Sequence, residues 1–118
     1  MEARVAKELL HIQSWLEWVD AIVARGRDAY LADPLLQEAG DSLMMKVGEA
    51  ANRLASLGLA APAGVDWALA VANRNFIVHR YHRVDRAMTW LTLSVDLPRW
   101  RIALASLFVE AAASVSGD

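Results

Sequence analysis

"RNFIVHRY", residues 74 to 81, sets two arginines, an asparagine, a histidine and a tyrosine around an apolar Phe-Ile-Val run. The chain has 118 residues, of which 56% are hydrophobic, so a concentration of polar groups needs a reason. Either they decorate the solvent side of an ordinary helix, or Arg74 and His79 act on a phosphate. The sequence on both sides of the stretch decides the fold in which that choice is made.

Upstream, Asp66 can cap a helix that carries Trp67, Leu69 and Val71 into the motif. Downstream, "HRVD" (82–85) breaks or bends that helix, and Asp85 caps another bearing Met88, Leu91 and Val95. "DLPRW" (96–100) reads as a tight link, because the residue before Pro98 is pushed out of the helical region. A last helix then carries Trp100, Leu104, Leu107 and Ala111. Towards the N-terminus, "GLAAPAG" (58–64) is the clearest loop. Before it, Asp33 and Pro34 mark a helix start, and Leu36, Leu43, Val47, Ala50, Leu54 and Leu57 share one face. In the first helix Val5, Leu9, Ile12, Leu16, Val19 and Val23 step by four and three, up to a stop at Gly26. No useful length alternates with a strand period. The expectation is one all-α domain over residues 1–118, an antiparallel bundle of four to five helices with short connections.

Composition narrows the function. The formal net charge is −2, not the overall basicity of a protein that grips long nucleic acid by charge alone. A local basic cluster is present: Arg74, Arg80, His82, Arg83 and Arg86. It reads either as a solvated face or as contacts to RNA phosphate or to an acidic partner. Cysteine is absent, which excludes disulfides, thiolate catalysis and cysteine metal sites and fits a cytoplasmic protein. "MEARVAKELLHIQSW" (1–15) has charges where a signal peptide needs an apolar core, and no run approaches the roughly eighteen apolar residues of a membrane span. Neither a leader nor a membrane helix is expected. The histidines are His11, His79 and His82. No His-Glu-x-x-His or similar ligand pair appears; His79 and His82, three apart, make a two-ligand site conceivable, and the expectation is no metal and no other cofactor. No Gly-x-Ser-x-Gly or phosphate-binding glycine loop occurs. Glu49 in "KVGEAANRL" (46–54) is either a lone acid or, more commonly for such a position, a solvated or ion-paired helix residue.

Arg74 and His79 together are a minimal kit for cutting RNA. The ribose 2′-hydroxyl must lose a proton as it attacks phosphorus, and the leaving oxygen must gain one. Histidine titrates where it can serve either step. Charge gathers on the phosphate oxygens, and a planar guanidinium binds two of them at once. Geometry resists in part. Residues five apart on a straight helix point about 140° away from each other. A bend, a reaching arginine or a second subunit would be needed to bring Arg74 and His79 to one place. Asn75 and His79, four apart, are neighbours, so Asn75 can orient the imidazole. Arg74 and Tyr81, seven apart, lie within about 20° of each other.

The stretch as a whole, "RNFIVHRY" followed by "HRVDRAMTWLTLSVDLP" (82–98), resembles the HEPN-domain signature of the HepT-like toxin ribonucleases. The marks are Arg, four residues, His, one residue, Tyr, then Val-Asp, Trp and Asp-Leu-Pro in order. "KVGEAANRL" resembles that family's second-helix segment, and "VDWALAVANRN" (65–75) the run into its motif. The likeness covers roughly residues 5 to 110.

The resemblance implies an all-α, HEPN-like bundle that forms a homodimer, with both copies of the motif lining one cleft. It implies the toxin of a type VII toxin–antitoxin pair: a metal-independent endoribonuclease with Arg74 and His79 as catalytic residues and Asn75 in support. The implied partner is a cognate minimal nucleotidyltransferase antitoxin, which inactivates the toxin by adding AMP to Tyr81. Arg80, His82 and Arg83 lie outside the core motif as candidate contacts to RNA or to that partner. Trp67 and Trp90 occupy family-typical core positions. Trp15 and Trp18 read as packing residues, with one able to face a dimer partner. The alternative is a non-catalytic dimeric helical module that docks a nucleotidyltransferase, or is its substrate; in a further variant the partner is the toxic member.

Overall fold

The structure is a computed structural model that describes residues 1–79 and 84–116, without the side chains of Phe76, Val78 and His79. The chain forms α1 (Ala3–Val23), α2 (Arg27–Ala32), α3 (Pro34–Ser56), α4 (Trp67–His79) and α5 (Arg86–Leu91). A π-helical turn (Thr92–Asp96), α6 (Leu97–Ala103) and α7 (Ala105–Val115) complete it. No strand occurs among the described residues. The fold class is therefore the all-α bundle expected from the sequence. The long rods are α1, α3, α4 and the broken rod from α5 to α7. The short α2 has no counterpart in the apolar pattern.

Cross-contacts fix the directions of the rods. Glu8, early in α1, holds Arg53, late in α3, through two hydrogen bonds of 2.9 and 3.0 Å. Asp20, late in α1, pairs with Arg101 of α6, while the backbone oxygen of Met1 lies 3.5 Å from the Ser114 hydroxyl at the end of α7. Both neighbours thus run antiparallel to α1. The stripe of α1 is buried as its spacing requires, through Val5, Leu9, Ile12, Leu16 and Val19, with Ile22 rather than Val23 closing it. Each fully buried Leu or Ile in it stabilises the fold by about 2 kcal/mol. On α3 the buried face is Leu43, Met44, Val47, Ala50, Ala51 and Leu54.

The sequence signals at the helix ends have physical partners. Oδ1 of Asp33 accepts from the Leu35 N–H at 2.9 Å, Oδ1 of Asp66 from Ala68 at 2.9 Å, and Oδ1 of Asp85 from Ala87 at 2.9 Å. The end of α3 is a Schellman turn: the Leu59 N–H bonds the Leu54 carbonyl and the Gly58 N–H that of Ala55. Gly58 takes the left-handed φ of 85° which that turn demands and a side chain would resist. The loop after it is tied back by Trp67, whose indole N–H donates to the Leu59 carbonyl at 3.1 Å and whose ring meets Trp100 edge-on.

One expectation is overturned. Residues 96–100 are not a link, because the rod continues through them. Leu97, before Pro98, stays helical at φ −68°, ψ −38°. Its N–H bonds the Thr92 carbonyl, five residues back instead of four. This widened turn alters the carbonyl register ahead of Pro98, which starts α6 where no N–H is required of it. The rod does break elsewhere, at Leu104 between α6 and α7. The break expected at 82–85 falls partly on His82 and Arg83, which lie outside the described residues; α5 starts at Arg86 behind the Asp85 cap.

No helix among the described residues is long and apolar enough to cross a membrane.

Candidate functional site

The motif helix owes its position to a glycine on α3. A Cβ built on Gly48 would lie 2.5 Å from the Arg74 Cβ and 2.7 Å from the Ala70 carbonyl oxygen. No side chain fits there, so α3 and α4 approach more closely than any other residue would permit. Further along the same crossing, Met44 of α3 shares a cavity wall with Asn73 and Ile77 of α4, so these two rods also run antiparallel. Arg74 is thereby clamped by its stem against the α3 backbone, and only its head is left to choose a direction.

The head points into a small cleft of about 150 Å³, lined by Gly48, Glu49, Asn52, Val71 and Arg74, with Arg53 at its edge. Nη1 of Arg74 donates to Oδ1 of Asn75 at 2.7 Å. Nη2 lies 3.6 Å from Oε1 of Glu49, an ion pair too long for a good hydrogen bond. Nε is buried and has no hydrogen-bond partner among the described residues. The Arg74 side chain is 34% exposed and that of Glu49 46%. The guanidinium is held, charged, reachable and incompletely satisfied. A phosphodiester presents two anionic oxygens to such a group, and the fork geometry of arginine suits them.

The Arg53 charge is already taken by Glu8 through two hydrogen bonds, so of the two cations that line the cleft among the described residues Arg74 is the less tightly paired. A second cavity, of about 240 Å³, lies on the α5 side of α4 and is mostly apolar, with Met44, Ile77 and Met88 in its walls. It does not include Arg74.

Asn75 does something the spacing did not reveal. Its amide oxygen accepts from Arg74, which fixes the guanidinium and leaves the amide nitrogen as the group able to reach another partner. His79 is the last residue of α4, and its side chain is outside the described residues. Tyr81, Arg80, His82 and Arg83 are outside them as well. The fold thus brings Arg74, Asn75 and Glu49 together. The convergence of Arg74 with His79 remains an expectation from the motif.

Arg86 is a correction. The sequence groups it with the basic cluster, yet it is no free cation. Its Nη1 and Nη2 donate to the two carboxylate oxygens of Asp41 at 2.6 and 2.9 Å. Those hydrogen bonds, ahead of the opposing effect of burial, hold the guanidinium even more firmly protonated than usual. Beside it Thr89 donates its hydroxyl to the Arg86 carbonyl at 3.1 Å and receives the Tyr30 hydroxyl at 2.5 Å. Tyr30 packs its ring on Trp90. Sequence reading missed this network; the one available signal was an aspartate, Asp41, on the helix between apolar positions. Trp67 is core as expected, and Trp90 is partly buried against it. Trp15 packs on His11, and Trp18 is 68% exposed.

Comparison with known proteins places the arrangement. The family model described as ribonuclease HepT-like matches residues 12–107, from the middle of α1 into α7 and across the whole α3–α4 cleft. Neither the curated proteins nor the solved structures yield a match to this chain. With four-fifths of its length inside that match and an all-α bundle around it, the chain belongs to the HepT-like ribonuclease family.

Proposed function

We propose that this chain is the toxin of a type VII toxin–antitoxin pair, a metal-independent endoribonuclease in which Arg74 and His79 act on the scissile phosphate. The observation that carries the reading is Arg74 itself: a guanidinium clamped by its stem at a glycine crossing, with its head in an open cleft, held by Asn75 and by only a long contact to Glu49. A merely structural arginine would be closed by a carboxylate, as Arg86 is.

The reaction balances without any further group. The 2′-oxygen forms a bond to phosphorus and gives its proton to an imidazole. The phosphorus–O5′ bond breaks, and O5′ takes a proton. The products are a 2′,3′-cyclic phosphate and a 5′-hydroxyl. Arg74 stabilises the charge that builds on the non-bridging oxygens, and Asn75 keeps the guanidinium aimed. In a homodimer the two copies of the motif face one cleft, so one His79 accepts the proton and the other donates it. The exposed Met88 and Leu91 on α5, beside the C-terminal half of α4, are apolar surface suited to that pairing. Arg80, His82 and Arg83 contact the RNA backbone or the partner.

Control acts on the same site. The cognate minimal nucleotidyltransferase transfers AMP to Tyr81, two residues beyond His79. The adenylate adds a negative phosphodiester that competes with RNA phosphate for Arg74. The test is cleavage of a defined RNA by the purified protein in excess chelator. Activity in wild type that is lost in Arg74→Ala and in His79→Ala supports the roles; full activity in either variant removes that residue from the mechanism. Sedimentation of the wild type checks the dimer. Intact mass and peptide mapping of the protein coexpressed with its nucleotidyltransferase check for AMP on Tyr81.

A second reading, a docking module that cuts no RNA, draws on the Glu49 carboxylate, which partly neutralises Arg74. Expression alone discriminates: growth arrest relieved by the nucleotidyltransferase supports the nuclease, and harmless expression of unmodified wild type supports the module.

A further inference from the structure

The cleft contains a resident anion. Gly48 fixes where α3 crosses α4, and the next residue, Glu49, therefore presents its carboxylate to the Arg74 head. The contact is 3.6 Å, against 2.6 and 2.9 Å for the two bonds between Asp41 and Arg86. Both partners are substantially exposed, so water competes for each. Arg53, the other cation at the cleft edge, is closed off by Glu8 and cannot serve as a substitute partner for Glu49. Asn52 stands exposed in the same cleft, with no hydrogen bond of its side chain among the described residues. A carboxylate and a phosphodiester offer the same chemistry to a guanidinium: two oxygens sharing one negative charge.

We infer that Glu49 is a built-in competitor for the substrate phosphate: its carboxylate pairs with Arg74 in the free protein and yields that guanidinium when RNA enters. Glu49 thereby sets the affinity threshold for substrate. It keeps Arg74 directed into the cleft, and it disfavours any anion that does not bring additional contacts. Asn52 is positioned to donate to the incoming phosphodiester once the carboxylate has moved aside. Glu49 is a specificity residue in this scheme, with no proton to transfer. The inference rests on the reading that Arg74 binds RNA phosphate.

The experiment measures binding of a short mixed-sequence RNA with 2′-O-methyl riboses, which cannot be cut, to wild type, Glu49→Gln, Arg74→Ala and the double variant. Fluorescence anisotropy reads the affinity, and thermal unfolding confirms that each variant folds. Glu49→Gln, which keeps the shape and removes the charge, is expected to bind roughly two- to fivefold tighter than wild type, the range of one exposed ion pair. On unmodified RNA its KM falls by a similar factor. The gain disappears in the Arg74→Ala background. Equal or weaker binding by Glu49→Gln overturns the competitor role, and a gain that persists without Arg74 overturns its mechanism. Wild-type affinity in Arg74→Ala alone overturns the phosphate site itself, a failure distinct from that of Glu49.

Discussion

Of the arginine–carboxylate pairs that tie other helices to α3, two are built in opposite ways. Asp41 and Arg86 meet through two short bonds, with the Asp41 side chain 3% and that of Arg86 23% exposed. Glu49 and Arg74 meet at 3.6 Å with side chains 46% and 34% exposed. The first pair is closed: each carboxylate oxygen accepts a short bond from the same guanidinium, and the Asp41 side chain is almost fully buried. The second is unfinished, and an unfinished cation in a cleft can take a phosphate. The same residue chemistry therefore serves architecture at one place and binding at another. Burial and hydrogen-bond saturation separate the two uses.

The sharpest way to break this contrast is to remove each arginine or its partner. Arg74→Ala is expected to lower RNA cleavage by roughly 10²–10³-fold, the usual loss for one transition-state donor, with little change in melting temperature. Arg74→Lys should not restore it, because an ammonium lacks the planar fork. A stability loss without an activity loss would reverse the roles given to the two pairs. Asp41→Ala should do the opposite, destabilising the fold by about 3 kcal/mol in urea unfolding because it strands a half-buried guanidinium. If urea unfolding shows no loss, the Asp41 pair is not the closed structural contact described here.

Glycine substitutions sharpen the comparison at the next level. Gly48→Ala places a Cβ against backbone and the Arg74 stem, so α3 and α4 must separate. It should cost about 2 kcal/mol of stability and also depress cleavage, since Arg74 moves with α4. Gly40→Ala meets the tip of Leu93 at 2.8 Å, a side-chain end that can rotate away. Its cost should stay below about 1.5 kcal/mol, with cleavage intact. Equal effects of the two on cleavage would show that the Gly48 crossing does not position Arg74. The smallest effect belongs to the Glu8–Arg53 pair, whose arginine is half exposed: Glu8→Ala should change unfolding free energy by about 1 kcal/mol.

Much of this architecture was legible along the chain. The α1 stripe, the caps at Asp33, Asp66 and Asp85, and the loop after α3 follow from local rules, and each has its partner within a few residues. Arg74 and Asn75 were singled out by their chemistry, and the structure joins them. Pro98 misled because its effect depends on the turn before it. A π turn, stabilised by its place in the packed rod, accepts what a regular helix would reject. Arg86 misled because its partner lies forty-five residues away.

The amino-acid order by itself determined the all-α class, the long helices and their apolar faces, and which few side chains have the chemistry to handle a phosphate, but not the short α2 or the helical path through residues 96–100. Periodicity and capping act over one or two turns, so they are written locally. Only the tertiary structure decided which arginine is spent and which is available. That distinction depends on the approach of α3 to α4 at a residue without a side chain, and on carboxylates brought from far along the chain. Distance and burial between helices set the strength of an ion pair, and neither quantity exists until the helices have packed.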